Sequence, residues 1–187
     1  MNKHSFTKLA VVASLFLTFG VRANGAAERL NLVQDGRPSA TIVLPKAPTQ
    51  IEKSASLDFQ RCMKRMSGAV LPIVAEPEQP QGVRVEIGGT ERGRRLRAEL
   101  SRSKHRSDEA CVIKVTEQAV VLVGRNDAAT GHAVYSLLER LGVRWLQPSL
   151  AWEVVPRRKS VSVRIGQQVM APHFDRRGGL AVSATKM

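Results

Sequence analysis

Residues Gly124–Pro148 read GRNDAATGHAVYSLLERLGVRWLQP. The run just before them, Ala119 to Val123, is almost wholly apolar, as a strand covered on both faces is. Gly124 permits a sharp exit. Asn126 or Asp127 caps a helix whose inner face carries Ala129, Ala133, Leu137 and Leu141, with Val134 and Leu138 beside it. Gly142 stops that helix, Val143 to Leu146 is a further short strand, and Pro148 ends it. A strand, a turn, a helix and a strand thus follow one another with no nucleophile and no metal ligand among them. What such a unit is for decides how the whole chain is read.

The pattern extends upstream. Arg29 to Val33 and Ser39 to Leu44 read as strands joined by Gln34-Asp35-Gly36-Arg37, with Asp-Gly as a hairpin signal. Thr49, with Glu52 three residues on, forms a capping box ahead of a helix from about Gln50 to Met66. Ile51, Ala55, Phe59, Cys62, Met63 and Met66 make its apolar stripe; Lys53, Asp58, Arg61, Lys64 and Arg65 are expected to face water. Gly68 ends it. Leu71 to Val74, Val83 to Ile87, Cys111 to Val115, Glu153 to Val155 and Val161 to Ile165 are the other expected strands, and Glu91 to Leu100 is a weakly periodic helix. The order predicts an α/β fold, a small two-layer sandwich in which two main helices pack on a mixed sheet.

The first 23 residues stand apart. Lys3, His4 and Lys8 precede the apolar run Leu9 to Val21, and Val21-Arg22-Ala23 is a small-residue cleavage site. This predicts a signal peptide and an exported, periplasmic or extracellular protein. The run is shorter than the roughly 20 residues of a spanning helix, and no later segment is apolar enough to span. Residues 24–165 are expected to form the domain and 166–187 a linker. The net charge of +13 falls to +10 without Lys3, Lys8 and Arg22, because residues 1–23 hold no acid. The excess gathers in Glu91 to Arg106 and Pro156 to Arg177. Such a balance favours anionic partners. An acidic polysaccharide fits; nucleic acid is disfavoured, because no aromatic platform for base stacking interleaves the basic runs. Cys62 and Cys111 could pair in an oxidising compartment. Each also sits on the apolar face of its element, where a free thiol behaves as a small hydrophobe, and two buried thiols are the favoured reading.

Few residues have the company that chemistry needs. Gly88-Gly89 follows a strand, but no G-x-G-x-x-G and no Gly-Lys-Ser/Thr accompanies it. His105, His132 and His173 are scattered, and His132 has no ligand partner at helical spacing. No Ser stands in a Gly-x-Ser-x-Gly elbow. Glycoside hydrolysis needs two carboxylates. Glu76 and Glu78 lie in a Pro-rich loop, Asp108-Glu109 precede a strand, and Asp127 serves better as a helix cap. No catalytic residue, cofactor or metal is predicted.

Taken together, the Asp-Gly turn, the helix running into SGAVLPIV, VRVEIGGT, CVIKVTEQAVVLVGRND and AVYSLLERLGVRWLQP with VVP close behind resemble a known arrangement. They are similar to the N-terminal accessory domain of alpha-glucuronidases of glycoside hydrolase family 67 and of related bacterial glycosidase-like proteins. The α/β domain that precedes the barrel of family 20 β-N-acetylhexosaminidases is similar too. The resemblance spans residues 30–165. It implies a non-catalytic accessory domain, with a catalytic barrel as its partner in cis and both catalytic carboxylates supplied by that barrel. Tyr135, Leu138, Leu141 and Trp145 would be core or inter-domain contacts. Ala171 to Gly178, APHFDRRG, is similar to the entry of the first barrel strand, and the resemblance implies Arg177 as a substrate-binding residue; read from residues alone it belongs to a basic tail. Beyond it GGLAVSATKM departs from the barrel pattern, so the expectation is a chain cut short at the start of the barrel. The alternative is a stand-alone exported binding module for an anionic glycan.

Overall fold

The long helix sets the frame. In the computed structural model, which describes residues 28–147 and 150–172, three short strands come first: β1 (Arg29–Gln34), β2 (Arg37–Pro38) and β3 (Ala40–Leu44). Helix α1 (Gln50–Ser67) follows. The Thr49 side chain accepts from the Glu52 N–H, Glu52 accepts from the Thr49 N–H, and Gly68 closes the far end at φ 83°. Such a box contributes about 1 kcal/mol. Strands β4 (Ile73–Ala75) and β5 (Val83–Ile87), helix α2 (Glu91–Arg102), strands β6 (Cys111–Val115) and β7 (Ala119–Gly124) and helix α3 (Asp127–Arg140) come next. Strand β8 (Arg144–Trp145), a 3-10 turn over Leu150–Trp152, and strands β9 (Glu153–Val154), β10 (Val161–Arg164) and β11 (Gly166–Met170) complete the order.

The main sheet has six strands in the order β11-β6-β7-β5-β3-β4. Strands β4, β3, β5 and β7 run parallel, and β6 and β11 are antiparallel to their neighbours. The α/β class and the mixed sheet therefore stand. The alternation of side chains sorts the two faces. Val120 and Leu122 of β7, with Cys111, Ile113 and Val115 of β6, point into one cluster with Phe59, Met63, Ala133, Leu137 and Leu138 of α1 and α3. Val121 and Val123, with Val112, point to the opposite face, where Leu96 and Leu100 of α2 cover them. The weakly periodic segment is thus a real helix, and it adds a partial third layer to the two expected.

Two expectations about pairing change. The Asp-Gly turn does make a hairpin, but its second arm is only the two-residue β2, paired through Val33↔Pro38 and Gln34↔Arg37. At Ser39 the chain leaves for the main sheet, where β3 lies between β4 and β5, and β1 takes β10 as its second partner. Proline explains the short ladder, since Pro38 has no N–H to donate. The other change is β11. Residues 166–170, which fall in the expected linker and barrel start of 166–187, pair with β6 from Gly166↔Val115 to Met170↔Cys111. Polar residues suit an edge strand, so hydropathy gave no sign of it.

Candidate functional site

Open α/β sheets take ligands in the crevice beyond the carboxyl ends of their parallel strands. Here that crevice lies at the ends of β3, β5 and β7, where the Gly88-Gly89 loop and the three helix N-termini meet. The chain fills it with its own carboxylates. Glu52 is buried; its Oε2 accepts from the Thr49 N–H at 2.9 Å and its Oε1 from the Gly89 N–H at 2.8 Å. Gly88 adopts φ 76°, and a Cβ there would stand 1.8 Å from Glu52 Oε1. Glu76, placed by the sequence in a Pro-rich loop, accepts from the Glu91 N–H at 2.8 Å and so occupies the start of α2. Asn126 caps α3, accepting from the Ala129 N–H at 2.8 Å and donating to the Asp108 carbonyl at 3.0 Å. The Gly89, Glu91 and Ala129 N–H groups, which could otherwise help to cradle a phosphate, are thus taken within the chain.

Beside this crevice Glu86 of β5 is buried on the α2 face. Arg92 reaches it at 3.0 Å and the Thr90 hydroxyl donates to it at 3.1 Å. Arg94 donates to the Gly89 carbonyl, Arg95 pairs with Glu91, and Arg97 donates to the Thr130 hydroxyl. The arginines of this helix are thus largely turned to partners within the fold.

A second buried carboxylate builds a different surface. Strands β8 and β9 form a ribbon in the register Arg144↔Val154 and Trp145↔Glu153, continued by the Leu146 N–H donating to the Trp152 carbonyl at 3.1 Å. Glu153 points inward, with its side chain only 1% exposed. Arg61 meets it with two donors, at 2.5 and 3.1 Å, Arg65 also pairs with it, and Trp145 Nε1–H donates at 2.9 Å. Asp58 holds Arg61 from the other side at 3.0 Å and accepts from the Tyr135 hydroxyl at 2.8 Å. Tyr135 and Trp145 meet edge to face, their ring centroids 5.6 Å apart. Arg61 and Arg65, read from the sequence as facing water, turn their guanidiniums to this carboxylate, Arg65 while staying exposed, and Asp58 turns to Arg61 and Tyr135.

The electrostatics fit the geometry. Burial alone would raise the Glu153 carboxyl, but hydrogen bonds and charge from Arg61, then Trp145 and Arg65, hold it below the usual carboxylate range. Glu153 is ionised with its acceptor positions filled, which makes it an anchor and not a general acid. Burial pushes the Cys62 thiol, whose Sγ lies 3.6 Å from Glu153 Oε1, up to about 12, and the nearby Glu153 charge adds to this. Burial raises Cys111 to about 11. Both cysteines are free and buried, the state of inert thiols.

Because neighbouring strand residues point to opposite faces, drawing Glu153 and Trp145 inward turns Trp152, Val154 and Leu146 outward. They are 51%, 51% and 63% exposed, among the largest apolar side chains at the surface. This apolar ribbon was not legible as a surface in the sequence, where Glu153 to Val155 reads only as a short strand. Of the residues implied by resemblance, Tyr135 and Trp145 line its underside, and Leu138 and Leu141 lie in the core. Arg177, His173 and the expected signal peptide lie outside the described residues. Among the described residues no group of three or more His, Cys, Asp or Glu could hold a metal ion, and no helix is long and apolar enough to cross a membrane.

No family model matches the chain, and no curated protein matches it. Solved structures do. The fold is similar to part of a family GH115 4-O-methyl-alpha-glucuronidase with specificity for decorated arabinogalactans, at 15% identity and a TM-score of 0.56, over 76% of this chain and 18% of that one. It is also aligned with GH20 β-N-acetylhexosaminidases from Streptomyces coelicolor A3(2) and Streptomyces plicatus, at 13% and 12% identity and TM-scores of 0.49 and 0.48, over 80% of this chain and 24% of each of those. The chain spans less than a quarter of the length of each of these enzymes, and what it shares with the glucuronidase is an α/β fold.

Proposed function

We propose that this chain is a non-catalytic accessory domain of a carbohydrate-active enzyme, and that the β8–β9 ribbon is the face it offers to a catalytic domain. The observation that carries the reading is the fold shared with 18% of a GH115 glucuronidase, a fraction that leaves the rest of that enzyme to do chemistry. The buried carboxylates add support: Glu52, Glu86 and Glu153 are all tied to donors within the fold, so none stands ready as an acid or base. The outward Leu146, Trp152 and Val154 supply an apolar surface of the kind that marks an interface. A family 67-like accessory role, export, and a barrel as the partner are the finer parts of the proposal; the first and last rest on the sequence resemblance, and export rests on the signal-peptide pattern of residues 1–23.

The test is an assay of the purified full chain on aryl glycosides of 4-O-methylglucuronic acid and of N-acetylhexosamine. No release above the uncatalysed rate is expected. Turnover that survives repurification would overturn the accessory reading.

A further inference from the structure

A groove of about 400 Å³ runs between the C-terminal end of α1 and the loop after β9, and its charged lining is all positive: Lys64, Arg65, Arg157, Arg158 and Lys159. Two features place these cations together. The end of α1 carries the negative end of the helix dipole and favours basic side chains in its last turn, where Lys64 and Arg65 stand. The loop is then fastened by its backbone: the Arg158 N–H donates to the Met66 carbonyl at 2.8 Å and the Lys159 carbonyl accepts from the Gly36 N–H at 2.7 Å. The loop's cations are thus held in place without using their charges. Arg65 is engaged by Glu153, and the nearby Asp35 is turned to the Ser160 hydroxyl at 3.2 Å. Among the described residues Lys64, Arg157, Arg158 and Lys159 have no ion-pair partner, in contrast to Arg92 and Arg95 of α2.

We infer that this groove is a binding site for an anionic polysaccharide, its cations taking carboxylate groups along the chain and Arg157 able to take one with two parallel hydrogen bonds. The choice of a glycan rests on the carbohydrate-active reading and on the absence of any aromatic side chain from the groove lining, which removes the stacking platform single-stranded nucleic acid needs. The groove shares Arg65 with the Glu153 anchor but none of the outward apolar side chains, and the variants below leave Arg65 in place, so loss of one function leaves the other measurable.

The experiment uses the full chain and sodium polygalacturonate, with dextran as the neutral control and a 20-base-pair DNA duplex as the competing polyanion. Binding to polygalacturonate, weakening with added salt, is expected, with none to dextran. The triple variant K64Q/R157Q/K159Q should bind about tenfold more weakly or worse, while R102Q/K104Q/R106Q, which removes equal charge elsewhere, should stay within about twofold. Equal losses in the two variants would show diffuse charge and overturn the site. So would an affinity for the duplex equal to or above that for polygalacturonate, or no binding by the wild type. A glycosidase activity in the assay above would refute the accessory role without touching this groove.

Discussion

Two ends of the molecule are organised by a buried glutamate, with opposite results. At the crevice Glu52 is drawn in against the Gly88-Gly89 loop and closes the place where an α/β sheet would take a ligand. At the ribbon Glu153 is drawn in against Arg61 and Arg65, and strand alternation then forces apolar side chains out. The same chemical device therefore seals one surface and creates another. What separates them is the backbone: a carboxylate in a helix's first turn satisfies nearby N–H groups, whereas a carboxylate in a two-residue strand dictates where its neighbours point.

The strongest way to break the comparison is Glu153→Gln. The change takes the carboxylate from Arg65 and leaves Arg61 with Asp58 alone, and removing one partner of a buried pair is costly. We expect a loss of about 2–4 kcal/mol in urea unfolding, reduced from the fully buried figure because both guanidiniums keep some contact with water. A loss under about 0.5 kcal/mol would mean the ribbon is not pinned by this group. Next comes Gly88→Ala, which meets both a left-handed φ and the Glu52 carboxylate at 1.8 Å; about 2 kcal/mol is expected, well above an ordinary surface substitution.

The pH dependence sharpens the same contrast. Glu153 is held low in the fold, so its stabilisation is present above the ordinary carboxylate value of about 4.3 and is lost as pH falls through its lowered folded value. Cys62 and Tyr135 are both pushed up to about 12, in each case by burial first. Their contribution is full below the unfolded values of about 8.5 and 10 and declines as pH rises beyond them towards 12. Thermal melts across pH should therefore fall at both extremes, and Glu153→Gln should flatten the acid limb. An acid limb identical in the variant would assign that loss to other carboxylates.

Much of the scaffold was legible beforehand, and the reasons are local. The Thr49–Glu52 box, the Gly68 stop and the stripe through Phe59 and Met63 are signals carried within a few residues, and the structure keeps them. The errors lie where sequence distance is large. Arg61 and Arg65 meet Glu153 across 92 and 88 residues, and no spacing rule points to such a pair. Glu52 was read as a capping residue, which it is, but its second bond to the Gly89 N–H depends on how β5 is placed beside α1. Strand β1's exchange of β3 for β2 and β10 is likewise decided by packing, with only Pro38 as a hint.

The smallest stability effect and the most telling functional one belong together. Leu146, Trp152 and Val154 are exposed, so L146S/W152S/V154S should unfold within about 1 kcal/mol of the wild type. Sedimentation velocity of the full chain over a wide concentration range tests whether that ribbon is an interface lacking its partner. Concentration-dependent self-association of the wild type is expected, with a triple variant that stays monomeric and folded. A wild type that stays monomeric throughout, or a variant that associates just as strongly, would contradict it.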